Sequence, residues 1–236
     1  MRQVLANPAE TLVLCALLTL GVPSGALEPL PVEEVRELHA SDATSSDYFG
    51  MSSAISGDTA VVGTPFNEDG TTASGCAYVF QRNHGGADTW GQVAILRPSD
   101  PDSGDYFGEA VGIDGDTIIV GARGNGTSGA AYVFERNQGG VDNWGQAAKL
   151  TFTLGSGAYL GDSVAVSGDL AIAGAPYDLP PGGGRGSAVV FERNQGGADA
   201  WGAVTKLSPA DAPAGDWFGE DVAIGDGFVA IGARGD

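Results

Sequence analysis

Four copies of one set of anchors at constant spacing restrict this chain more than any other property. A large apolar residue followed by glycine recurs as Phe49-Gly50, Phe107-Gly108, Leu160-Gly161 and Phe218-Gly219, and a turn glycine (Gly63, Gly121, Gly174, Gly232) follows the first residue by 14 positions every time. A strand phenylalanine (Phe80, Phe134, Phe191) precedes a tryptophan (Trp90, Trp144, Trp201) by 10 positions, and each Trp precedes a leucine (Leu96, Leu150, Leu207) by 6. Two intervals vary. From turn glycine to strand phenylalanine the counts are 17, 13 and 17, and from closing leucine to the next anchor, starting at Leu38, they are 11, 11, 10 and 11. Loops accept insertions and packed strands do not, so the constant intervals mark framework and the variable ones mark surface loops.

Within the second copy, Ala110 to Ile113, Thr117 to Val120, Ala130 to Glu135 and Trp144 to Leu150 read as strands bounded by Gly, Asp and Asn, and none has a helical period. The first two are joined by Asp114-Gly115-Asp116, and Ser56-Gly57-Asp58, Ser167-Gly168-Asp169 and Gly225-Asp226-Gly227 are the same tight-hairpin chemistry. One four-stranded sheet this small cannot bury both faces alone, which disfavours independent sandwiches. Four antiparallel strands repeated in tandem predict an all-β chain built as a β-propeller of four-stranded blades. The domain expected over 27–236 comprises a leading strand at 32–38, repeats at 38–95, 96–149 and 150–206, and a partial repeat at 207–236. Propellers have about 4 to 8 blades, so three full blades and a half point to an incomplete ring and a fragment of a longer reading frame. A four-bladed ring lacking one strand is the alternative.

Residues 1–26 carry an early Arg2, an apolar run from Thr11 to Val22 and small residues at Ser24 and Ala26, the pattern of a cleaved signal peptide. The run is too short to span a bilayer, so no membrane insertion is expected after cleavage, an uncleaved anchor being the alternative. Cys15 would leave with this leader. Cys76 then stands alone in an apolar strand and is expected to be a small buried side chain. The formal charge of -19, from 30 acidic and 11 basic residues, repels phosphate backbones, so nucleic acid is not an expected partner.

These anchors resemble FG-GAP repeats, the units of the integrin alpha-subunit propeller and of many secreted bacterial proteins. Phe49-Gly50 with Gly63-Thr64-Pro65, and Leu160-Gly161 with Gly174-Ala175-Pro176, come nearest to the family's signature, each departing from it at one position, while Arg123 and Arg234 replace its proline. The resemblance covers Val32 to Asp236 and implies a propeller. In integrin-type repeats it also implies Ca²⁺ in an Asp-rich loop between the two signature elements. Here that connection is only the Gly-Asp hairpin, and six to eight oxygen ligands cannot come from a two-residue turn. No cofactor and no metal site are therefore carried over, and Ca²⁺ dependence stays open.

Candidate sites separate into repeated and unrepeated residues. Asp58, Asp116 and Asp169 recur at one repeat position, which is turn geometry, whereas an active site needs groups in different roles. His39 and His84 are too scattered for an acid–base centre, and no nucleophile elbow or phosphate loop appears, so no catalytic residue is expected. Asn67, Glu68 and Asp69 are the weak cation candidates. Trp90, Trp144 and Trp201 could stack on sugars but read more simply as inter-blade packing. Asn125-Gly126-Thr127 is an N-glycosylation sequon, and Arg234-Gly235-Asp236 spells an integrin-ligand tripeptide at a blade turn. The expected function is that of an exported, non-catalytic module of the surface and adhesion type. It would bind a protein or glycan through the variable loops, with Thr64, Asn67, Asp69, Arg123, Asn125, Tyr177, Asp178 and Arg185 as the binding positions. The alternatives are an accessory propeller of a larger secreted enzyme and a structural spacer in an envelope assembly.

Overall fold

The computed structural model describes residues 37–42, 44–68, 72–179, 186–209, 215–225 and 227–235. The expected signal peptide and most of the leading strand lie outside them. Glu37 forms an isolated bridge, and Leu38 is buried against Phe49, Tyr78 and Phe80.

Fourteen strands run in chain order among these residues. The first blade holds β1 (Ser52–Ser56), β2 (Thr59–Thr64), β3 (Cys76–Arg82) and β4 (Trp90–Leu96), the second β5 (Val111–Asp114), β6 (Thr117–Ala122), β7 (Ala130–Arg136) and β8 (Trp144–Leu150). The third holds β9 (Val164–Ser167), β10 (Leu170–Ala175), β11 (Ser187–Glu192) and β12 (Gly202–Leu207), and β13 (Val222–Gly225) with β14 (Phe228–Ile231) forms a two-stranded sheet. Each sheet is an antiparallel meander in sequence order, and the first strands β1, β5, β9 and β13 neighbour one another in turn. This is an incomplete β-propeller. In the three complete blades the β1–β2 type connection is a two-residue hairpin opened by glycine at positive φ, 56° at Gly57 and 55° at Gly115 and Gly168, the glycine-first arrangement that matches strand twist.

The cores lie between sheets. In β6, Ile118, Val120 and Ala122 face Val61, Val79 and Leu96 of the first blade. Ile119 points the opposite way, towards Leu160, Val164 and Phe191 of the third. Period-two alternation thus sends successive side chains into two different cores, which is why β2 and β6 are buried along their whole length. A bulge recurs at Val79/Phe80, Val133/Phe134 and Val190/Phe191, re-aiming the outer strand identically in each complete blade.

The conserved spacing of 14 has a direct structural cause. The N–H of Gly50, Gly108, Gly161 and Gly219 donates to the carbonyl of the turn glycine of the same blade, at 3.1, 3.0, 2.9 and 2.9 Å. The carbonyl of that first glycine then abuts the turn glycine of the preceding blade. A Cβ on Gly63, Gly121 or Gly174 would lie 1.9, 2.0 or 1.9 Å from the carbonyl oxygen of Gly108, Gly161 or Gly219. Both glycines are therefore parts of one seam that sets the distance between neighbouring blades.

Cys76 is fully buried in β3, and burial pushes its thiol up to about 12. Because the thiolate is the reactive form, the folded protein is expected to resist iodoacetamide at pH 8 and to be alkylated only after denaturation. Rapid alkylation under native conditions, followed by mass spectrometry, would contradict that placement.

Candidate functional site: an aromatic row on one face

At one end of the blades the chain enters the first strand and leaves the second. The residue before each glycine-bearing anchor is a ring there: Tyr48, Tyr106, Tyr159 or Trp217. All four have positive φ, at 58, 55, 60 and 52°. Such a conformation costs a non-glycine residue about 1–2 kcal/mol. It turns each ring out of the strand line towards the end of the blade. Two and three positions after each turn glycine come Pro65-Phe66, Arg123-Gly124, Pro176-Tyr177 and Arg234-Gly235, so the blades alternate between an aromatic and a guanidinium.

These groups meet across blade boundaries. Phe66 packs on Tyr48 at 4.9 Å and on Tyr106 of the next blade at 5.4 Å between ring centroids. The Arg123 guanidinium lies 5.3 Å from the Tyr106 ring centre and 5.7 Å from that of Tyr159 in the third blade. Tyr159 in turn packs edge-on against Tyr177 at 5.2 Å, and Arg234 lies 4.7 Å over Trp217. The result is a row that crosses the first three blades, with a further Arg–Trp unit on the fourth sheet. It remains open to solvent: Tyr48 is 59% exposed, Tyr177 43%, Phe66 40% and Tyr159 39%.

Charge beneath the row is compensated. Arg123 contacts Glu109 of its own blade at 2.5 Å through Nε and Asp162 of the next blade at 3.2 Å through Nη1. Burial pushes both carboxyls above their ordinary range, with Arg123 opposing the rise. The six tyrosines divide by hydrogen bonding. Buried Tyr78 and Tyr132 donate their hydroxyls to Asp42 and Asp100 at 2.6 and 2.9 Å. Among the described residues, the hydroxyls of Tyr48, Tyr106, Tyr159 and Tyr177 have no intramolecular partner.

The residues expected in the binding loops separate accordingly. Arg123 and Tyr177 belong to the row. Thr64 instead ends β2 and is buried. Asn67, Asn125 and Asp178 are buried as well, contrary to their expected role as presented loop residues. Each sits four positions after a turn glycine, where the chain turns inward to cap the loop that leads into the first strand. The Asn67 amide donates to Asp47 and Tyr78 and its oxygen accepts from Arg97, so its side chain is turned into the cap. Glu68 is exposed, and Asp69 and Arg185 lie outside the described residues. Among the described residues no group of three or more metal-ligating side chains is found. The Asn125 amide donates to buried Asp105 at 3.0 Å, which closes the sequon in the folded chain.

The third blade solves the same capping problem with different residues. In the first two blades Asp47 and Asp105 accept from the loop N–H groups of Thr44 and Asp102, and an asparagine, Asn67 or Asn125, supports the carboxylate. In the third, Ala158 replaces that aspartate and Asp178 replaces the asparagine. Asp178 then accepts from the N–H of Gly155 and from Ser187, and pairs with Lys206. The carboxylate has moved across the cap while the backbone donor is still satisfied.

On the opposite end, the loops after β3, β7 and β11 repeat one geometry. Asn83, Asn137 and Asn194 at positive φ accept the N–H of Asp88, Asp142 and Asp199 at 2.9, 2.8 and 2.8 Å. Trp201 there donates to Glu135 of the second blade at 3.2 Å, and Arg193 lies over the Trp201 ring at 4.9 Å. Trp201 thus packs between blades.

The profile of the FG-GAP repeat matches residues 32–80, 90–134, 144–191 and 201–236. The chain belongs to the FG-GAP repeat family. In this FG-GAP protein the two signature elements are the two halves of the glycine seam, and the second and third positions after the turn glycine, Pro-aromatic in two blades and Arg-Gly in two, decide whether an aromatic or a cation enters the row. Among solved structures, the Pseudomonas aeruginosa periplasmic gluconolactonase PpgL is similar at 14% identity with a TM-score of 0.41, the match covering 77% of this chain and 62% of that one. No curated protein matches the sequence.

Proposed function

We propose that this FG-GAP propeller is an exported, non-catalytic binding module and that the aromatic row is its ligand surface. The observation that carries the reading is a run of rings held at strained backbone positions yet left substantially exposed, since packing alone would bury them. The aspartates add support. Asp58, Asp116 and Asp169 sit in hairpin turns and Asp47 and Asp105 in loop caps, positions set by turn geometry rather than by complementary catalytic roles. Export rests on the leader pattern of residues 1–26.

The test compares retention on immobilised extracellular proteins and polysaccharides for three forms of the chain. Native protein is expected to be held on at least one surface. The Phe66→Ser/Tyr177→Ser variant should elute early. Val141→Ser, which alters an exposed residue in the β7–β8 loop at the other end, should behave as native. Equal retention of all three forms would remove the row from the binding function.

A further inference from the structure

We propose that the ligand of the row is an uncharged polysaccharide lying across the first three blades. The Tyr48–Phe66 and Tyr159–Tyr177 pairs would be two stacking platforms, with Tyr106 and Arg123 between them. This rests on the reading that this face binds, and it names the chemistry that the face selects.

Three features of the surface converge on that ligand. First, its exposed area is ring face and ring edge, arranged as two pairs, and sugar C–H groups carry the partial positive charge that aromatic faces attract. Second, the polar groups it offers are phenol hydroxyls with no partner among the described residues. A hydroxyl both donates and accepts, as sugar hydroxyls do, whereas a peptide carbonyl only accepts and would use half of that capacity. Arg123 contributes little to charge recognition, because its Nε and Nη1 sides already face Glu109 and Asp162. Third, the chain carries a formal charge of -19, which repels polysaccharides bearing uronate or sulfate and leaves neutral ones unopposed. A proline-rich peptide, which also docks on aromatic grooves, fits the rings but uses only part of the hydroxyls' hydrogen-bonding capacity.

The experiment titrates the full chain with cellohexaose, chitohexaose and mannohexaose, and with polygalacturonate and a proline-rich decapeptide as competing classes, using calorimetry. Saturable binding of at least one neutral hexasaccharide is expected, with none for polygalacturonate. Phe66→Ala and Tyr177→Ala should each weaken it about tenfold, the effect of losing one ring contact, and Tyr177→Phe should weaken it by a smaller factor because only the hydroxyl is lost. Neither Phe66 nor Tyr177 has positive φ, so both variants are expected to melt near the native temperature, which separates lost binding from lost fold. Binding to none of the neutral saccharides overturns the inference. If the peptide binds and Tyr177→Ala abolishes it, the ligand class is wrong while the face stands. If a saccharide binds equally to native protein and both ring variants, the face is wrong as well.

Discussion

Replacing Gly121 with alanine is expected to cost the fold about 3 kcal/mol or more, beyond the usual range for a surface substitution. The added Cβ would lie 2.0 Å from the Gly161 carbonyl oxygen and 3.0 Å from its carbon. Both atoms are backbone, so neither can rotate away. Relief requires the second and third blades to separate, and that opens the core containing Ile119, Val133, Leu160 and Val164. Gly115→Ala is the matched control. Gly115 has φ 55° with nothing within 4 Å of its Cβ position, so only the left-handed conformation is penalised, at about 1–2 kcal/mol. Urea denaturation should therefore rank the two variants clearly. If Gly121→Ala unfolds no earlier than Gly115→Ala, the seam does not set the blade spacing.

Removing the cation beneath the third blade's cap is expected to cost a similar amount. Asp178 is buried and its carboxylate faces Lys206, Ser187 Oγ and the N–H of Gly155. Lys206→Met leaves that charge without its counter-ion, and breaking a buried pair from one side costs about 3–5 kcal/mol. Lys206 is partly exposed, so the lower end, about 3 kcal/mol, is expected. The pH dependence follows from the sign of the shift. Burial pushes the Asp178 carboxyl up, but hydrogen bonds from Lys206, Ser187 and the Gly155 amide outweigh it, and the group titrates below its ordinary value. A carboxyl whose folded-state pKa is depressed stabilises the fold above its unfolded pKa of about 3.9, and that contribution drains away as pH falls towards the folded value. The difference between Lys206→Met and native protein should accordingly be full at pH 7 and shrink below about pH 4. Adding Asp178→Asn to Lys206→Met should recover most of the loss by removing the orphaned charge. A small loss at pH 7, or one unchanged by pH, would show that the pair does not hold the cap.

The framework was largely legible from residue spacing. Thr117 to Val120 and Trp144 to Leu150 read as strands from alternation and turn chemistry, and they are found as Thr117–Ala122 and Trp144–Leu150. Periodicity carried that much because each blade is a local meander, whose hydrogen bonds join strands adjacent in the chain. The binding positions were not legible in the same way. Loops of variable length drew attention to Asn67, Asn125 and Asp178, but all three point inward, because a turn that leaves a strand end must satisfy backbone groups before it can present anything. The constant distance of four from the turn glycine, and the exchange of Asp105 and Asn125 for Ala158 and Asp178, are the signals of that capping role. The row had a signal too: a ring stands two positions before every anchor glycine, and Pro-aromatic alternates with Arg-Gly after every turn glycine.

By itself, then, the sequence determined the repeat and its four-stranded unit, since these depend on interactions within one repeat. Only the tertiary structure decided that Phe66 touches Tyr106 and that Arg123 lies between Tyr106 and Tyr159. Those contacts cross blade boundaries, and their geometry is set by the packing of one sheet against the next.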